Sequence, residues 1–241
     1  MAGVVSGRAI LVAGAGSGMG RATALAAVRE GGSLLLLGRD RAKLEAVAAE
    51  VRAIAPDRPA VVIAADAADA AGLEAALAPH AGAIDIAVNS VGTNIVRRAF
   101  GELTAESWAG MVDANLNAAF NLTRAVLPGM RGRGQGLIIH IASVAARRPD
   151  RSGAAYQATK AGVMALSHAV MEEERENGLR LTVILPGMTD TPLLDKRPAP
   201  VPPEARRKAL QPEDVAAACL FVMALPPRAH VAEIMLQPSR S

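Results

Sequence analysis

The feature that most constrains this chain is a regular alternation of short apolar runs with longer segments of helical periodicity. The runs are AILVA (9–13), SLLLLG (33–38), AVVIAA (60–65), IDIAVNS (84–90), LIIHIAS (137–143), RLTVILP (180–186) and VAEIML (231–236). Most are apolar on both alternations, the pattern of strands covered on both faces. Helix-length stretches lie between them at 19–31, 41–55, 70–80, 104–130, 154–177 and 213–224. Asp40 and Thr104 stand where N-caps belong. Strands that alternate with helices need crossovers, and those crossovers are right-handed. The expected fold is α/β: a Rossmann-like, doubly wound parallel sheet of about seven strands with helices on both faces.

At 241 residues the chain supports one sizeable core, and no repeat or composition break divides it, so residues 1–241 read as a single domain. The exception to the alternation is PLLDKRPAPVPP (192–203), with five prolines in twelve residues, which is expected to be a long loop. Hydrophobic residues make up 51% but aromatics only 2%, so aliphatic side chains must fill the core. The single cysteine, Cys219, excludes an internal disulfide, and no Cys/His cluster or HExxH spacing suggests a metal. The N-terminus lacks the pattern of a secretory signal, and no apolar run reaches the roughly 18 residues of a membrane span. A cytoplasmic location is expected. Net charge is +3, and the paired arginines at 97–98, 147–148 and 206–207 lack interleaved aromatics, so no nucleic-acid partner is expected.

The first strand runs directly into AGAGSGMGRATALAAV. Gly14, Gly16, Gly18 and Gly20, with Ser17 and Met19 between them, form a turn where backbone can approach a ligand ahead of a helix N-terminus. Free N–H groups and the helix dipole suit a pyrophosphate there. The second strand ends in Gly38-Arg39, where a fold selecting NAD places an acid for the ribose 2′-hydroxyl. A guanidinium suits a 2′-phosphate instead. Asp40 is assigned to capping the next helix. NADP(H) is therefore favoured as cofactor, with NAD(H) left open.

The chain's one tyrosine, Tyr156, stands at i to Lys160 at i+4, so the two share a helix face. Ser143 precedes Tyr156 by 13 residues and ends the fifth strand. In a doubly wound sheet, ligands sit beyond the carboxyl ends of the strands. Ser143, the glycine turn and the segment Asn89–Gly92 all lie at such ends.

In these motifs the chain resembles the short-chain dehydrogenase/reductase family, of the compact single-domain type, over nearly its whole length. The family's TGxxxGxG motif corresponds to Ala13-Gly14 through Gly20, and its NNAG turn to Asn89-Ser90-Val91-Gly92. The Asn-Ser-Tyr-Lys tetrad falls on Asn115, Ser143, Tyr156 and Lys160. The PGxxxT segment falls on Pro186, Gly187 and Thr191, with Thr189 between them, and Asp66 corresponds to the residue contacting adenine. Two departures lie close together: Ala13 replaces a threonine, and Ser90-Val91 replaces Asn-Ala. The threonine's polar tie is either partly restored by Ser90 or absent.

The resemblance implies an NADP(H)-dependent oxidoreductase that exchanges a hydride between nicotinamide and a ketone or secondary alcohol. Tyr156 acts as general acid/base, its phenol lowered from a pKa near 10 by the Lys160 ammonium and the nicotinamide. Ser143 binds the substrate oxygen, Lys160 holds the nicotinamide ribose, and Asn115 anchors a water leading to solvent. Residues 188–211 correspond to the family's substrate lid. Arg97, Arg98, Arg147 and Arg148 follow strands 4 and 5, where they could face an anionic substrate. The resemblance also implies a homodimer or homotetramer joined through 104–130 and 154–177. Two alternatives stand beside this reading: a 3-oxoacyl thioester reductase, and a catalytically silent nicotinamide-binding regulator.

Overall fold

A computed structural model describes residues 3–239. Its strands are β1 (Ala9–Ala13), β2 (Ser33–Gly38), β3 (Val61–Ala64), β4 (Ile86–Asn89), β5 (Gly136–Ile141), β6 (Leu179–Pro186) and β7 (Glu233–Leu236). They form one seven-stranded sheet in the order β3-β2-β1-β4-β5-β6-β7, and every pairing is parallel. The expected doubly wound sheet is the fold observed.

Alternate residues of each strand feed two separate cores. Ile10, Val12, Leu34, Leu36 and Ile139 pack on one face beneath α1 (Gly18–Arg29), α2 (Arg41–Ile54) and α8 (Pro212–Ala224). Leu11, Leu35, Leu37 and Ile138 point to the other face. There they meet α3 (Ala70–Leu77) and α5 (Ala118–Gly132) through Leu73, Leu122, Val126 and Met130. Each such burial contributes roughly 1.5–3 kcal/mol relative to exposure. That two-sided demand is why the strand sequences are apolar throughout. α6 (Ala154–Glu174) covers the far side through Val163, which packs on Ala142, Val183 and Leu185.

Caps set the helix starts. Asp40 accepts a hydrogen bond from the Lys43 N–H at 3.2 Å and opens α2. Thr104 accepts one from the Ser107 N–H, also at 3.2 Å, and opens α4 (Ala105–Met111).

Two expectations are corrected. The single helix expected over 104–130 is divided: α4 passes into a π-helical stretch, Val112–Asn117, before α5 resumes α geometry. The proline-rich segment is not wholly a loop. Pro192–Lys196 forms a 3₁₀ turn and Pro203–Lys208 forms α7, each with proline in its first turn. There the missing N–H costs nothing, because that position has no partner within the helix. The Asp190 N–H donates to the Leu210 carbonyl at 2.8 Å and the Leu210 N–H to the Met188 carbonyl at 2.9 Å, so the segment is pinned at its base. Arg206 of α7 clasps it internally, reaching both Asp190 at 2.9 Å and Asp195.

The first turn after β1 has no spare room. Gly14 has φ +78°, and a Cβ at Gly20 would lie 2.3 Å from the Gly14 carbonyl oxygen. Gly20→Ala is expected to destabilise the fold by about 1–3 kcal/mol through overpacking, read as a lower denaturation midpoint. An unchanged midpoint would show that the turn can open without cost.

Candidate active site

The C-terminal ends of β1, β2, β4, β5 and β6 converge on two adjoining cavities. The larger, about 530 Å³, runs from Gly38 and Arg39 past the glycine turn to Gly92 and Thr191. The smaller, about 110 Å³, holds Ser143 and Tyr156. Met19, Thr191 and Leu193 line both.

The expected cofactor residues divide between these spaces. Gly14, Gly16, Ser17, Gly18, Met19, Arg39, Asp66, Gly92 and Thr191 line the larger cavity. Pro186, Gly187 and Thr189 line the smaller one instead, because β6 ends beside Ser143. Gly20 and Asn89 line neither. Gly20 is packed against Gly14, while Asn89 is buried and shapes the turn that follows it. Its Oδ1 accepts the Val91 N–H at 3.0 Å, and its Nδ2 lies 3.2 Å from His140 Nδ1.

That contact begins a chain of buried polar groups. His140 Nε2 lies 3.2 Å from Thr123 Oγ1, which donates in turn to the Ala119 carbonyl at 2.8 Å. One tautomer satisfies every bond: Asn89 donates to His140 Nδ1, and His140 Nε2–H donates to Thr123. The ring must therefore be neutral. Burial, followed by the nearby Lys160 charge, lowers its pKa from 6.5 to about 4.

The departure at Ala13 leaves no side-chain tie. Ser90 is joined to Ala13 through its backbone N–H, 2.9 Å from the Ala13 carbonyl oxygen. Among the described residues its hydroxyl has no hydrogen-bond partner, as in the second of the two alternatives for this turn.

Asn115 lies in the π-helical stretch and is fully buried. Its Oδ1 accepts the Thr93 N–H at 2.7 Å, and its Nδ2 donates to the Thr93 carbonyl at 3.1 Å and Thr159 Oγ1 at 3.0 Å. Lys160 is buried beside it and donates to the Ile141 carbonyl at 3.2 Å. A Cβ at Gly92 would fall 2.9 Å from Lys160 Nζ and 3.3 Å from Asn115 Oδ1. Both side chains therefore lie directly behind the Gly92 wall of the larger cavity. Burial brings the Lys160 ammonium down from 10.5 to about 8.

Ser143 and Tyr156 meet at the smaller cavity. Ser143 Oγ accepts the Ala145 N–H at 3.2 Å, which leaves its own proton free to donate. Burial pushes the Tyr156 phenol above its usual 10. The Ser143 side chain opposes that rise most, followed by the positive charges of Arg98 and Arg197, while Asp150 reinforces it. Lys160 Nζ stands 5.9 Å from the phenol ring centre. In the protein alone, burial outweighs the downward pull of Ser143 and the two arginines. A phenol and a hydroxyl facing one small space can hydrogen-bond a single bound oxygen together.

The four arginines expected at the mouth do not act together. Arg97 is paired with Glu102 at 3.6 Å, Arg147 reaches Glu233 at 2.8 Å, and Arg148 lines neither cavity. Only Arg98 faces the smaller space, joined there by Arg197 from the proline-rich segment. Nothing in the sequence distinguishes Arg98 from Arg97, and Arg197 carries no motif. Lys196 and Lys43, also unexpected, line the larger cavity. Lys196 Nζ donates to Thr93 Oγ1 at 2.6 Å, strapping the segment across the site. Among the described residues no His, Cys, Asp or Glu cluster is placed to hold a metal, and no helix is long and apolar enough to cross a membrane.

The family model described as short chain dehydrogenase matches residues 8–201. The chain belongs to this family. An oxidoreductase of Staphylococcus epidermidis is 30% identical over 237 residues, covering 97% of this chain and 98% of that protein. Among solved structures, the closed form of a serine dehydrogenase complexed with NADP+ superposes with a TM-score of 0.87 at 30% identity, covering 97% of this chain and 96% of that one. An alcohol dehydrogenase from the archaeon Thermococcus sibiricus, complexed with 5-hydroxy-NADP, gives 0.85 at 27% identity, with 97% of each chain covered. The sheet order and the strand-end cavities described above are thus those of a short-chain dehydrogenase.

In this dehydrogenase the buried histidine sets a pH limit on stability. An unfolded histidine titrates near 6.5 and His140 near 4, so between those values the unfolded chain takes up a proton that the folded one refuses. The stability involved is complete above about pH 6.5 and lost as pH falls toward 4, amounting to roughly 3 kcal/mol. Denaturant titrations from pH 7 to 4 should show this slope, and His140→Gln should flatten it. An equal slope in the variant would place the pH sensitivity elsewhere.

Proposed function

We propose that the chain is an NADP(H)-dependent oxidoreductase that interconverts a small ketone and its secondary alcohol, with Tyr156 as general acid/base. The observation that carries this reading is the shared small cavity of Tyr156 and Ser143, opening on a space of dinucleotide size with a buried ammonium behind its wall. The bound cofactor supplies or takes up the hydride. Tyr156 Oη gives the proton to the substrate oxygen in reduction and takes it in oxidation. Ser143, its acceptor side held by Ala145, donates a hydrogen bond to the same oxygen and stabilises the charge that develops there. Lys160 would hold the nicotinamide ribose. Asn115 fixes the Thr93 backbone, and through it the turn that forms the Gly92 wall.

The larger cavity suits a dinucleotide on its own chemistry. Ser17 is the N-cap of α1 but makes no capping bond, so the first N–H groups of that helix are left for a phosphate. At the far end, β2 closes on Gly38, with no carboxylate in the strand-end position. Arg39 is mostly exposed and only loosely paired with Asp66 at 3.7 Å, while Lys43 on the same wall is paired with Asp40 at 3.5 Å. The exposed Arg39 guanidinium favours a 2′-phosphate, hence NADP(H). The NADP-type ligands of the two solved relatives support the same choice.

Tyr156→Phe should lower turnover by about 10²–10⁴-fold in NADPH oxidation assays with a ketone panel. NADPH affinity, followed by fluorescence titration, should hold. Substantial turnover in the variant would overturn the assignment. Arg39→Ala should weaken NADP+ binding about tenfold or more, the worth of a charge-assisted bond, and leave NAD+ binding alone. Equal loss for both cofactors would remove Arg39 as the selecting residue.

A further inference from the structure

The smaller cavity is lined by two cations, Arg98 and Arg197, and by one carboxylate, Asp150. Arg98 is only 8% exposed, yet its Nε has no hydrogen-bond partner. Its Nη2 donates to the Lys196 carbonyl, which anchors the side chain without balancing its charge. Arg197, one residue beyond that carbonyl, lines the same cavity. Among the described residues neither guanidinium forms an ion pair. The one carboxylate on this wall, Asp150, is turned to the Ser152 N–H at 2.8 Å and to the Ser152 hydroxyl.

Like charges gathered in a partly desolvated space are unfavourable unless an anion joins them. Burial most, and then the neighbouring Arg197 charge, lowers the Arg98 pKa, while Tyr156 and Asp150 oppose the shift only in part. Gly153 lets the two segments close: a Cβ there would lie 2.8 Å from the Arg98 carbonyl oxygen and 2.9 Å from Arg98 Cβ. The buried guanidinium is thus held in place by backbone packing from one side and the Lys196 carbonyl from the other. Arg98 lines the same small space as Tyr156 and Ser143.

We propose that Arg98 and Arg197 form a subsite for the carboxylate of the substrate, so that this enzyme acts on short oxo acids and hydroxy acids. The proposal rests on the oxidoreductase reading above and names its substrate class. A guanidinium fork binds a planar carboxylate through paired N–H groups, orienting the carbonyl carbon as well as binding it. A space of about 110 Å³ leaves room for a few heavy atoms beyond that carboxylate.

The test compares acids with their amides, which match them in size and differ in charge. NADPH oxidation by the full chain is measured with acetoacetate against acetoacetamide and with pyruvate against pyruvamide. For at least one pair, kcat/KM is expected to favour the acid by roughly ten- to a hundredfold, the worth of charge-assisted bonds. Arg98→Gln and Arg197→Gln should each remove most of that preference, through a rise in KM for the acid that the amide does not share. Equal efficiency for acid and amide overturns the subsite. So does a uniform fall with both substrates in both variants, which marks a structural role only, or a clear preference for acetoacetyl-coenzyme A.

A binding measurement separates this proposal from the catalytic reading. Acetoacetate and pyruvate are titrated calorimetrically into the Tyr156→Phe protein loaded with NADP+, with and without Arg197→Gln. Binding of either acid that weakens at least about tenfold in the arginine variant supports the subsite independently of the role given to Tyr156. No binding, or binding indifferent to Arg197, overturns it. Turnover that survives Tyr156→Phe removes the catalytic reading alone.

Discussion

Parallel pairing of β1 with β4 is the constraint on which the rest depends. Ala13 lies opposite Asn89, so the two chains leave the sheet side by side. The Ser90 N–H then binds the Ala13 carbonyl, and Gly14 turns within contact of the Ser90 backbone. A side chain at Gly14 would meet the Ser90 oxygen at 2.8 Å, so glycine there follows from the pairing. Because β5 and β6 continue the sheet in the same direction, Ser143 and Pro186–Thr189 emerge at the same edge. Two cavities at the strand ends are the direct result.

Buried polar groups hold that edge in one shape. Asn89, His140 and Thr123 link β4, β5 and α5 by bonds that need a neutral ring. Asn115 does similar work one layer further out, binding both backbone groups of Thr93 and the Thr159 hydroxyl of α6. Such chains are costly if any member is left unpaired, so they specify geometry more than they add stability. The wall at Gly92 is defined in this way before any ligand arrives.

The layering was legible in the sequence because burial on both faces leaves no choice of residue. β1 and β2 match their apolar runs residue for residue, and the caps at Asp40 and Thr104 follow from side chains that accept backbone bonds. The π-helical stretch at Val112–Asn117 was not legible, since an i to i+5 turn leaves no period in a sequence of this length. The short helices of the proline-rich segment were hidden for a related reason. Proline forbids a helix interior yet suits a first turn, and composition does not say which applies. Tyr156 and Lys160 follow from helical spacing, but spacing does not reveal that Lys160 turns to the Ile141 carbonyl behind Gly92.

Residue type and order alone therefore determined a parallel sheet, a glycine turn at the first strand end, and a tyrosine one helical turn before a lysine. These are local properties: periodicity, φ freedom and the reach of a side chain along its own helix. Tertiary structure decided which polar groups lie behind the cavity wall and which face into it. It also decided that Arg98 is buried while Arg97 is paired in solvent, and that Arg197 meets Arg98 across 99 positions of sequence. Charge in a site depends on distance and desolvation, and both are set by packing among segments far apart in the chain.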